Sequence, residues 1–281
     1  MATLLELTKG KLAAWEHLPN KALGQNFLID GAQLDVIAGL PVFEGKTVLE
    51  IGAGLGTLTQ ALSRKAKRVI AVEVDKSLEP ALKELCTQCK NAELIMADFM
   101  DLDIDGLALL SGEKEICVAG NLPYYITTPI CMKLLKSRLN IASMVLMVQQ
   151  EAAERFFAKP SSRVYGPLTV LANAKYRTER IAELSPQSYY PQPTVHSSVV
   201  LLQKLDRACG AGLDGLLKEA FSNRRKTLVN NLKGSYGKES IISALSELGR
   251  DENVRAEALG VEEFMRLSSI LKQHKAEGDT R

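Results

Sequence analysis

The sequence lacks the long apolar runs and terminal signals that send a protein into or across a membrane. No uninterrupted apolar stretch approaches the roughly 20 residues that a transmembrane helix needs. The N-terminal segment has no basic region followed by a long apolar core. It also carries Glu6 and Glu16, which transit peptides avoid. We therefore expect a soluble, cytoplasmic protein.

Cysteine and histidine, which disulfide scaffolds and metal sites need, are scarce. The five cysteines stand at positions 86, 89, 117, 131 and 209, and this odd number does not suit a disulfide framework. Cys86 and Cys89 form a C-x-x-C pair without a second pair, and the three histidines stand at 17, 196 and 274. We expect no metal site and two ordinary thiols on one helix.

Neither sign of charge dominates the composition. The chain has 35 Lys and Arg against 33 Asp and Glu, a net charge of +2, and 46% of its residues are hydrophobic. These values are ordinary for a globular protein. Because the balance is so even, a nucleic-acid surface has to come from local clusters of basic residues.

What the first half of the chain does contain is a series of short apolar runs that alternate with helical patterns. Asp30 with Gln33 marks a helix start before the first run. Runs of this length between helices are typical of βαβ units around a buried parallel sheet. The runs are Thr47–Ile51, Val69–Val72, Ala92–Ala97, Ile116–Ala119 and Met144–Val148, and we expect Leu168–Ala174 and Val195–Leu202 to extend the sheet.

The pattern changes near residue 205, where helical segments separated by glycines replace the apolar runs. We expect an α/β domain over residues 1–205 and a small all-helical domain over residues 206–281. The predicted helices of the second domain are Leu216–Phe221, Arg224–Leu232, Ile241–Leu248 and Phe264–Leu271.

The first predicted strand runs into a glycine-rich loop. Gly52, Gly54 and Gly56 follow Glu50 in the pattern E-x-G-x-G-x-G. Glycine lets the backbone approach a ligand where a Cβ atom would collide. The spacing differs from the dinucleotide fingerprint G-x-G-x-x-G, because Thr57 stands in the place of its third glycine. The leading glutamate is typical of S-adenosylmethionine sites, so we predict S-adenosylmethionine as the cofactor.

Glycine, acidic or amide residues stand at the carboxyl ends of four predicted strands, where open α/β sheets bind their ligands. They are Gly52, Glu73, Asp98 and Asn121. The Glu73 carboxylate suits the hydroxyls of a ribose, and Asp98 suits the adenine amine of the cofactor. A single acid at a strand end is often only solvated, but four such residues together predict a site.

The segment Asn121–Tyr124 (N-L-P-Y) predicts how an amine on an aromatic ring is methylated. The lone pair of such an amine is delocalised into the ring, so the amine attacks better when two acceptors draw its N–H bonds out of the ring plane. The predicted acceptors are the Asn121 side-chain oxygen and the Leu122 carbonyl, while Pro123 removes a competing donor. A sulfonium is a strong electrophile, so catalysis rests mostly on positioning and needs no general base before attack.

Two tyrosines are candidates for contact with the acceptor base. Tyr124 offers a ring on which a flipped-out base stacks, a contact worth ~1–3 kcal/mol. Tyr189, in the proline-flanked segment YYPQP, is a candidate for a second aromatic wall.

The sharpest basic cluster of the predicted helical domain is Arg224, Arg225 and Lys226. A continuous helix through this cluster would put both arginines on its apolar face. We therefore predict a break, with Ser222 or Asn223 capping a new helix. Such a break points the helix N-terminus and both arginines toward phosphate groups.

These motifs together resemble those of the ribosomal RNA adenine N6-dimethyltransferases, most closely the small-subunit branch. The resemblance implies a Rossmann-like class I methyltransferase fold, with a seven-stranded, mostly parallel sheet and a helical C-terminal domain. It also implies that Asn26 and Leu28 touch the cofactor beside Gly52, Gly54 and the strand-end residues. It covers essentially the whole chain and includes KALGQNFL (21–28), Glu50–Gly56, Gly120–Tyr124, RVYGPLTV (163–170), YYPQPTVHS (189–197) and AFSNRRKTLVNNL (220–232).

The resemblance further implies the substrate and the partner. The substrate is a pair of adjacent adenosines in the 3'-terminal hairpin of small-subunit rRNA, each dimethylated on N6, and the partner is this rRNA or the assembling subunit. The resemblance is consistent with a monomer. Tyr125, Tyr189, Thr194 and His196 depart from the commoner family residues, but none removes a group that the mechanism needs.

Three alternatives stay open. A large-subunit enzyme of the erythromycin-resistance type commonly has Ile in place of Leu122, and Leu122 with Thr128-Pro129 favours the small-subunit branch. DNA adenine and protein glutamine methyltransferases usually have a second Pro there and do not need the helical domain. A non-catalytic RNA-binding or ribosome assembly factor is disfavoured by the intact Asn121–Tyr124 segment.

Overall fold

The computed structural model describes residues 2–106, 112–207 and 212–278, so Cys209 lies outside the described residues. Within them, helices α1–α11 are Leu4–Ala14, Gly31–Ala38, Thr57–Ser63, Glu79–Gln88, Thr127–Lys136, Gln150–Glu154, Pro167–Lys175, Leu213–Ala220, Leu228–Tyr236, Lys238–Glu247 and Val261–Gly278. Strands β1–β9 are Phe27–Leu28, Thr47–Ile51, Arg68–Glu73, Ala92–Met96, Ile116–Asn121, Ile141–Gln149, Tyr176–Leu184, Tyr189–Tyr190 and Ser197–Lys204. Short 3₁₀ turns cover Lys21–Leu23, Pro41–Phe43, Lys76–Leu78, Tyr124–Ile126, Pro186–Ser188 and Ala256–Ala258.

Seven of these strands form one sheet in the order β4-β3-β2-β5-β6-β9-β7. The strands from β2 to β6 pair in parallel, and β9 runs antiparallel to β6. The chain places β3 and β4 on one side of β2 and returns to place β5 on the other side. The crevice at such a reversal of strand order is where open α/β sheets bind ligands. The predicted Rossmann-like, mostly parallel seven-stranded sheet is therefore confirmed.

The parallel strands are buried because helices pack against the sheet, and their apolar side chains form two hydrophobic clusters. One cluster joins Leu34 of α2 and Leu62 of α3 to Val48 of β2. The other joins Leu12 of α1 to Leu82 of α4. The helix start predicted at Asp30 is confirmed, since its carboxylate accepts the Gln33 backbone N–H at 3.1 Å. No helix among the described residues is long and apolar enough to cross a membrane.

The prediction that Leu168–Ala174 is a strand is wrong, because this segment lies in α7. Pro167 begins the helix, where its missing N–H and fixed φ cost nothing. The helix is buried on nearly every side, and an apolar run buried in this way does not distinguish a helix from a strand. The outer strand of the sheet is instead β7, whose sequence YRTERIAEL is rich in charge because it lies at the sheet edge.

The contacts of the chain divide it into two compact units. The first consists of Met1–Ala153 and Glu179–Lys204, and the second of Glu154–Thr178 and Leu205–Arg281. The second unit contains the predicted C-terminal helices, but residues 154–178 join them instead of the α/β domain expected over 1–205. Long-range hydrogen bonds hold this segment in place. Tyr165 donates its hydroxyl to the Leu259 carbonyl at 2.7 Å, and the Ser161 N–H donates to the Glu257 carbonyl at 2.7 Å.

Replacing Tyr165 by phenylalanine should destabilise the second unit. The variant leaves the buried Leu259 carbonyl without its donor, so the free energy of unfolding should fall by about 1–2 kcal/mol. Equilibrium unfolding in urea measures this loss. The matched control is Tyr236→Phe on the less buried tyrosine of α9, which should stay within about 0.5 kcal/mol of wild type. Equal losses in the two variants would contradict the assignment.

Candidate active site

A cavity of about 860 Å³, its open mouth included, lies at the carboxyl ends of the central strands of the first unit. Most of the site residues predicted from the sequence line it. Leu28 and Tyr189 do not. The predicted residues in the lining are Asn26, Gly52, Gly54, Glu73, Asp98, Asn121, Leu122, Pro123 and Tyr124.

The glycine loop after β2 takes a backbone path that only glycine adopts without strain. Gly52, Gly54 and Gly56 all have positive φ, at 76°, 57° and 73°. A Cβ atom on Gly54 would lie 3.1 Å from the Phe27 ring, and one on Gly56 would overlap Leu85. The loop therefore presents backbone instead of side chains to the cavity.

Glu73, at the end of β3, is an acceptor held in place by backbone N–H groups. Its side chain accepts the Gly54 N–H at 2.8 Å with one oxygen, and the Val74 and Asp75 N–H groups at 3.0 and 2.9 Å with the other. Burial raises the pKa of Glu73, while these three N–H groups lower it. A carboxylate has about four lone-pair sites, so at least one remains for a hydroxyl of a ligand.

Residues 17–28, which we call the N-terminal strap, contribute Leu23–Phe27 to the lining of the cavity. The Gln25 amide donates to the Asp75 carboxylate at 2.6 Å, and the His17 ring lies 2.9 Å from the Ser77 hydroxyl. The end of the strap is β1, which pairs antiparallel with β8. The strap is thus fastened to the loop after β3, directly beside Glu73.

Asn121 contacts the strap from the end of β5. Its amide nitrogen donates to the backbone carbonyl of Asn26 at 2.8 Å. If the amide were flipped, its oxygen would face the Asn26 carbonyl oxygen and the two would repel each other. This contact therefore sets the orientation of the Asn121 amide. The Asn121 oxygen is left as an acceptor in a side chain that lines the cavity. This hydrogen bond fixes the orientation of the amide, and the acceptor role of its oxygen stays a prediction.

The residues after Asn121 are held just as firmly. The Leu122 N–H donates to the Met147 carbonyl at 3.0 Å, and the Thr127 hydroxyl donates to the Pro123 carbonyl at 3.0 Å. The Tyr124 hydroxyl lies 2.8 Å from the Ser197 hydroxyl, so the ring is anchored at its far end. Burial raises the pKa of Tyr124, so its hydroxyl is neutral. The cavity therefore contains an oriented Asn121 amide and an anchored Tyr124 ring.

Comparison with known proteins identifies the family. The model of the family described as Ribosomal RNA adenine dimethylase matches residues 16–273. The chain belongs to the ribosomal RNA adenine dimethylase family. As a member of this family it is an S-adenosylmethionine-dependent methyltransferase, which confirms the enzyme class and cofactor predicted from the sequence.

Relatives of this dimethylase are similar over nearly their whole length. The ribosomal RNA small subunit methyltransferase A of Clostridium botulinum (strain Loch Maree / Type A3) is 40% identical over 271 residues, which cover 94% of this chain and 98% of that protein. The protein of the same name from Clostridioides difficile (strain 630) is 38% identical over 274 residues, or 94% of each chain.

Solved structures show the same fold. A dimethyladenosine transferase from Plasmodium falciparum has a TM-score of 0.75 at 25% identity, with 89% of this chain and 98% of that chain covered. The 23S rRNA methyltransferase ErmE has a TM-score of 0.66 at 23% identity, with 88% of this chain and 100% of that chain covered, and shares the fold.

Tyr189 and Leu28 face the core of the dimethylase instead of its cavity. They pair across β1 and β8, and both pack in the cluster that contains Val199 and Leu184. Tyr189 is only 2% exposed and is absent from the cavity lining, so the structure does not support the expected second aromatic wall. The pairing decides this, because a side chain in a strand can face only one side. These positions matched a sequence motif, which carries no information about that direction.

Tyr125 is an aromatic cavity residue that the sequence analysis noted only as a departure from the family pattern. It is 58% exposed and lines the cavity, and its ring packs on Gly24 of the strap. Its position directly after Tyr124 is the signal that would have found it. In a tight turn, neighbouring side chains point to different sides, so one tyrosine is anchored inside and the other faces solvent.

The basic cluster lies in the second unit of the dimethylase and is only partly as predicted. The break exists, but the cap of α9 is Thr227 instead of Ser222 or Asn223, since its hydroxyl accepts the Asn230 N–H at 3.3 Å. The predicted helix Arg224–Leu232 accordingly begins only at Leu228. Local competition explains the shift, because Asn223 uses its side chain to accept the Arg225 N–H within the turn.

The two arginines of the cluster have different surroundings. Arg224 donates to the carbonyls of Arg163 and Tyr165 at 2.8 and 3.2 Å and pairs with Glu257 at 3.0 Å. These contacts hold residues of the second unit together. Arg225 and Lys226 are exposed in the turn and stay candidates for contact with phosphate.

Glu50, the first residue of the glycine motif, lies beneath the loop and not in the cavity lining. It is 1% exposed, and one of its oxygens is buried without a hydrogen-bond partner. Burial raises the pKa of Glu50 to about 8. The side chain is therefore protonated at neutral pH, which makes it part of the core.

Replacing Glu50 by glutamine should remove a pH dependence of stability. The folded dimethylase keeps the Glu50 proton up to about pH 8, whereas the unfolded chain loses it near the usual pKa of 4.5. The folded state then binds more protons over this interval, so the wild-type free energy of unfolding falls as pH rises through it. Glutamine does not titrate, so the melting temperature of the variant relative to wild type should rise over the same interval.

Thermal unfolding at acidic, neutral and mildly alkaline pH measures this difference. Glu44→Gln, on an exposed side chain of the same unit, is the control and should show no such trend. A difference between the Glu50 variant and wild type that stays constant with pH would show that Glu50 is ionised in the folded protein.

Proposed function

We propose that this chain transfers methyl groups from S-adenosylmethionine to the N6 amines of two adjacent adenosines in the 3'-terminal hairpin of small-subunit rRNA. The observation that carries the proposal is the oriented Asn121 amide in a cavity at the strand ends. The relatives with about 40% identity are named for the small subunit. The large-subunit alternative has less support, since the 23S rRNA methyltransferase shares the fold at only 23% identity.

The residues of the cavity fit the cofactor. A Cβ atom at Gly54 would crowd the Phe27 ring, so the glycine loop has no side chain at this position. A ligand bound against the loop would therefore contact its backbone. Glu73 would accept a ribose hydroxyl, Asp98 would accept from the adenine amine, and Asn26 would contact the cofactor from the strap. When bound, S-adenosylmethionine supplies a methyl group made electrophilic by its sulfonium.

The acceptor base would be held by Asn121, Leu122 and Tyr124. Tyr124 stacks on the base. The hydrogen bond between the Tyr124 and Ser197 hydroxyls holds the tyrosine ring in a fixed orientation when the base binds. The Asn121 oxygen and the Leu122 carbonyl accept hydrogen bonds from the two N–H groups of the amine. This arrangement turns the lone pair of the amine toward the electrophilic methyl group. The nitrogen becomes acidic once it is alkylated, so it would pass its proton to solvent water without a general base.

The remaining partners follow from this substrate. We propose that Arg225 and Lys226 bind RNA phosphate, that the assembling small ribosomal subunit is the partner, and that the chain acts as a monomer in the cytoplasm. The exposure of both basic side chains supports the first point. Arg224 is exposed as well, but its contacts within its own unit support a stabilising role for this residue.

The test is methylation of unmodified small ribosomal subunits with labelled cofactor, with dimethyladenosine mapped by primer extension. Wild type should label two adjacent adenosines, and Asn121→Ala should lose about 10²–10³ of the turnover because one acceptor is removed. RNA binding by the variant should be unchanged. Asn140→Ala, which removes an amide on the surface of the same unit, is the matched control. Parent-rate methylation by the Asn121 variant would refute the acceptor geometry.

A second experiment separates the basic residues. Arg225→Ala and Lys226→Ala should each weaken RNA binding and lower the slope of log affinity against log salt concentration by about one. Arg224→Ala should instead lower the melting temperature, because two carbonyls and Glu257 lose their donor. Filter binding over a salt series and thermal unfolding give the two readouts. The separate roles proposed for Arg224 and for Arg225 with Lys226 are wrong if Arg224→Ala changes the slope of log affinity against log salt concentration and leaves the melting temperature unchanged.

A further inference from the structure

Lys133, in the last turn of α5, has an unusual set of partners. Its ammonium donates to the backbone carbonyls of Phe99, Met100 and Leu102 at 2.8, 2.7 and 2.7 Å. The same nitrogen lies 5.3 Å from the centre of the Phe99 ring. An ammonium has three protons, and all three are used on one short loop.

The loop that Lys133 binds, residues 98–102, leads directly from β4 into the cavity wall. Its turn closes on Asp98, whose carboxylate accepts the Met100 N–H at 2.7 Å and whose carbonyl accepts the Asp101 and Leu102 N–H groups at 3.1 Å. Asp98 and Phe99 both line the cavity. One Asp98 oxygen is taken by the turn, so the position of the other depends on the shape of the loop.

A cation is what makes this loop shape stable. Three carbonyl oxygens that converge on one point repel each other, and the repulsion is strong where water is partly excluded. The ammonium replaces that repulsion with three charge-assisted hydrogen bonds. Its place near the C-terminus of α5 is favourable for a positive charge as well. Ile130, one turn earlier on α5, lines the cavity, so the helix supports both the apolar wall and the loop.

We propose that Lys133 is a positioning residue for the nucleobase end of the cofactor pocket. It holds residues 98–102 so that the free Asp98 oxygen meets the exocyclic amine of adenine, and it thereby sets the preference for adenine over a base that carries a carbonyl there. The proposal rests on the proposed function in one respect, the contact between Asp98 and the adenine of the cofactor.

The test compares S-adenosylhomocysteine and S-inosylhomocysteine by calorimetry. These ligands differ only on one edge of the base, where the amine and N1 acceptor of adenine become the carbonyl and N1–H of hypoxanthine. Hypoxanthine presents an oxygen to Asp98 where adenine presents an amine, so wild type should bind the adenosine form at least about tenfold more tightly. Lys133→Met keeps the length of the side chain but loses the charge, and should lose most of this preference. Lys136→Met, an exposed lysine of the same helix turn, should keep it.

The outcomes separate the two claims. A wild-type protein without preference would remove Asp98 from the adenine amine and so contradict the cofactor assignment in the proposed function. A wild-type preference that persists undiminished in Lys133→Met would overturn the positioning role. If the Met variant does not fold, Lys133→Arg takes its place. A planar guanidinium does not direct three N–H groups at three converging carbonyls, so a reduced preference is again expected and an unchanged one overturns the proposal.

A readout without any ligand supports or refutes the same claim. In Lys133→Met, amide hydrogen exchange should be faster at Met100, Asp101 and Leu102, whose N–H groups close the turn, and unchanged in β5. Faster exchange over the whole first unit would show a general loss of stability and would overturn the positioning role.

Discussion

The hydrogen bond from the Asn121 amide nitrogen to the Asn26 carbonyl joins the two parts of the active site that come from distant regions of the chain. It gives the amide its orientation and therefore decides whether an oxygen or an NH₂ group is available on the cavity side. The bond exists only if β5 ends at the crevice and the N-terminal strap is fastened across it. The sheet order provides the first condition, and the Gln25–Asp75 contact provides the second.

Charged groups around the cavity are stabilised mainly by backbone. Glu73 is held by three N–H groups, and Lys133 by three carbonyls. A backbone dipole stabilises a charge without cancelling it, whereas a salt bridge pairs it with an opposite charge. Burial raises the pKa of Glu73 and its three N–H partners lower it, while Lys133 keeps a loop in shape without a carboxylate among the partners described. Both groups also depend on turns that their own charge helps to form.

The strands that build the site were predictable because each is a short apolar run that ends in a glycine or polar residue. The run Thr47–Ile51 corresponds to β2 residue for residue, and Arg68–Glu73 extends its predicted run by a residue at each end. The apolar pattern gives a wrong prediction where an element is buried on nearly all sides or lies at the edge of the sheet. The pattern predicts a strand at helix α7, which is buried on nearly every side, and it gives no signal for the edge strand β7, which is rich in charge. Hydrophobic periodicity shows which face of a helix or strand is buried. It cannot identify an element whose faces are all buried, or one with little buried surface.

The sequence by itself determined the family, through the resemblance of its motifs, and the fold class, through short apolar runs that alternate with helical patterns. It also determined which residue types stand at the strand ends, where open α/β sheets bind ligands. The direction of each side chain was decided by tertiary structure. Arg224 meets carbonyls about 60 residues away, Asn121 meets Asn26 across 95 residues, and Tyr189 turns inward through its pairing with Leu28. Such contacts depend on which distant segments pack together, and local spacing along the chain carries no information about that.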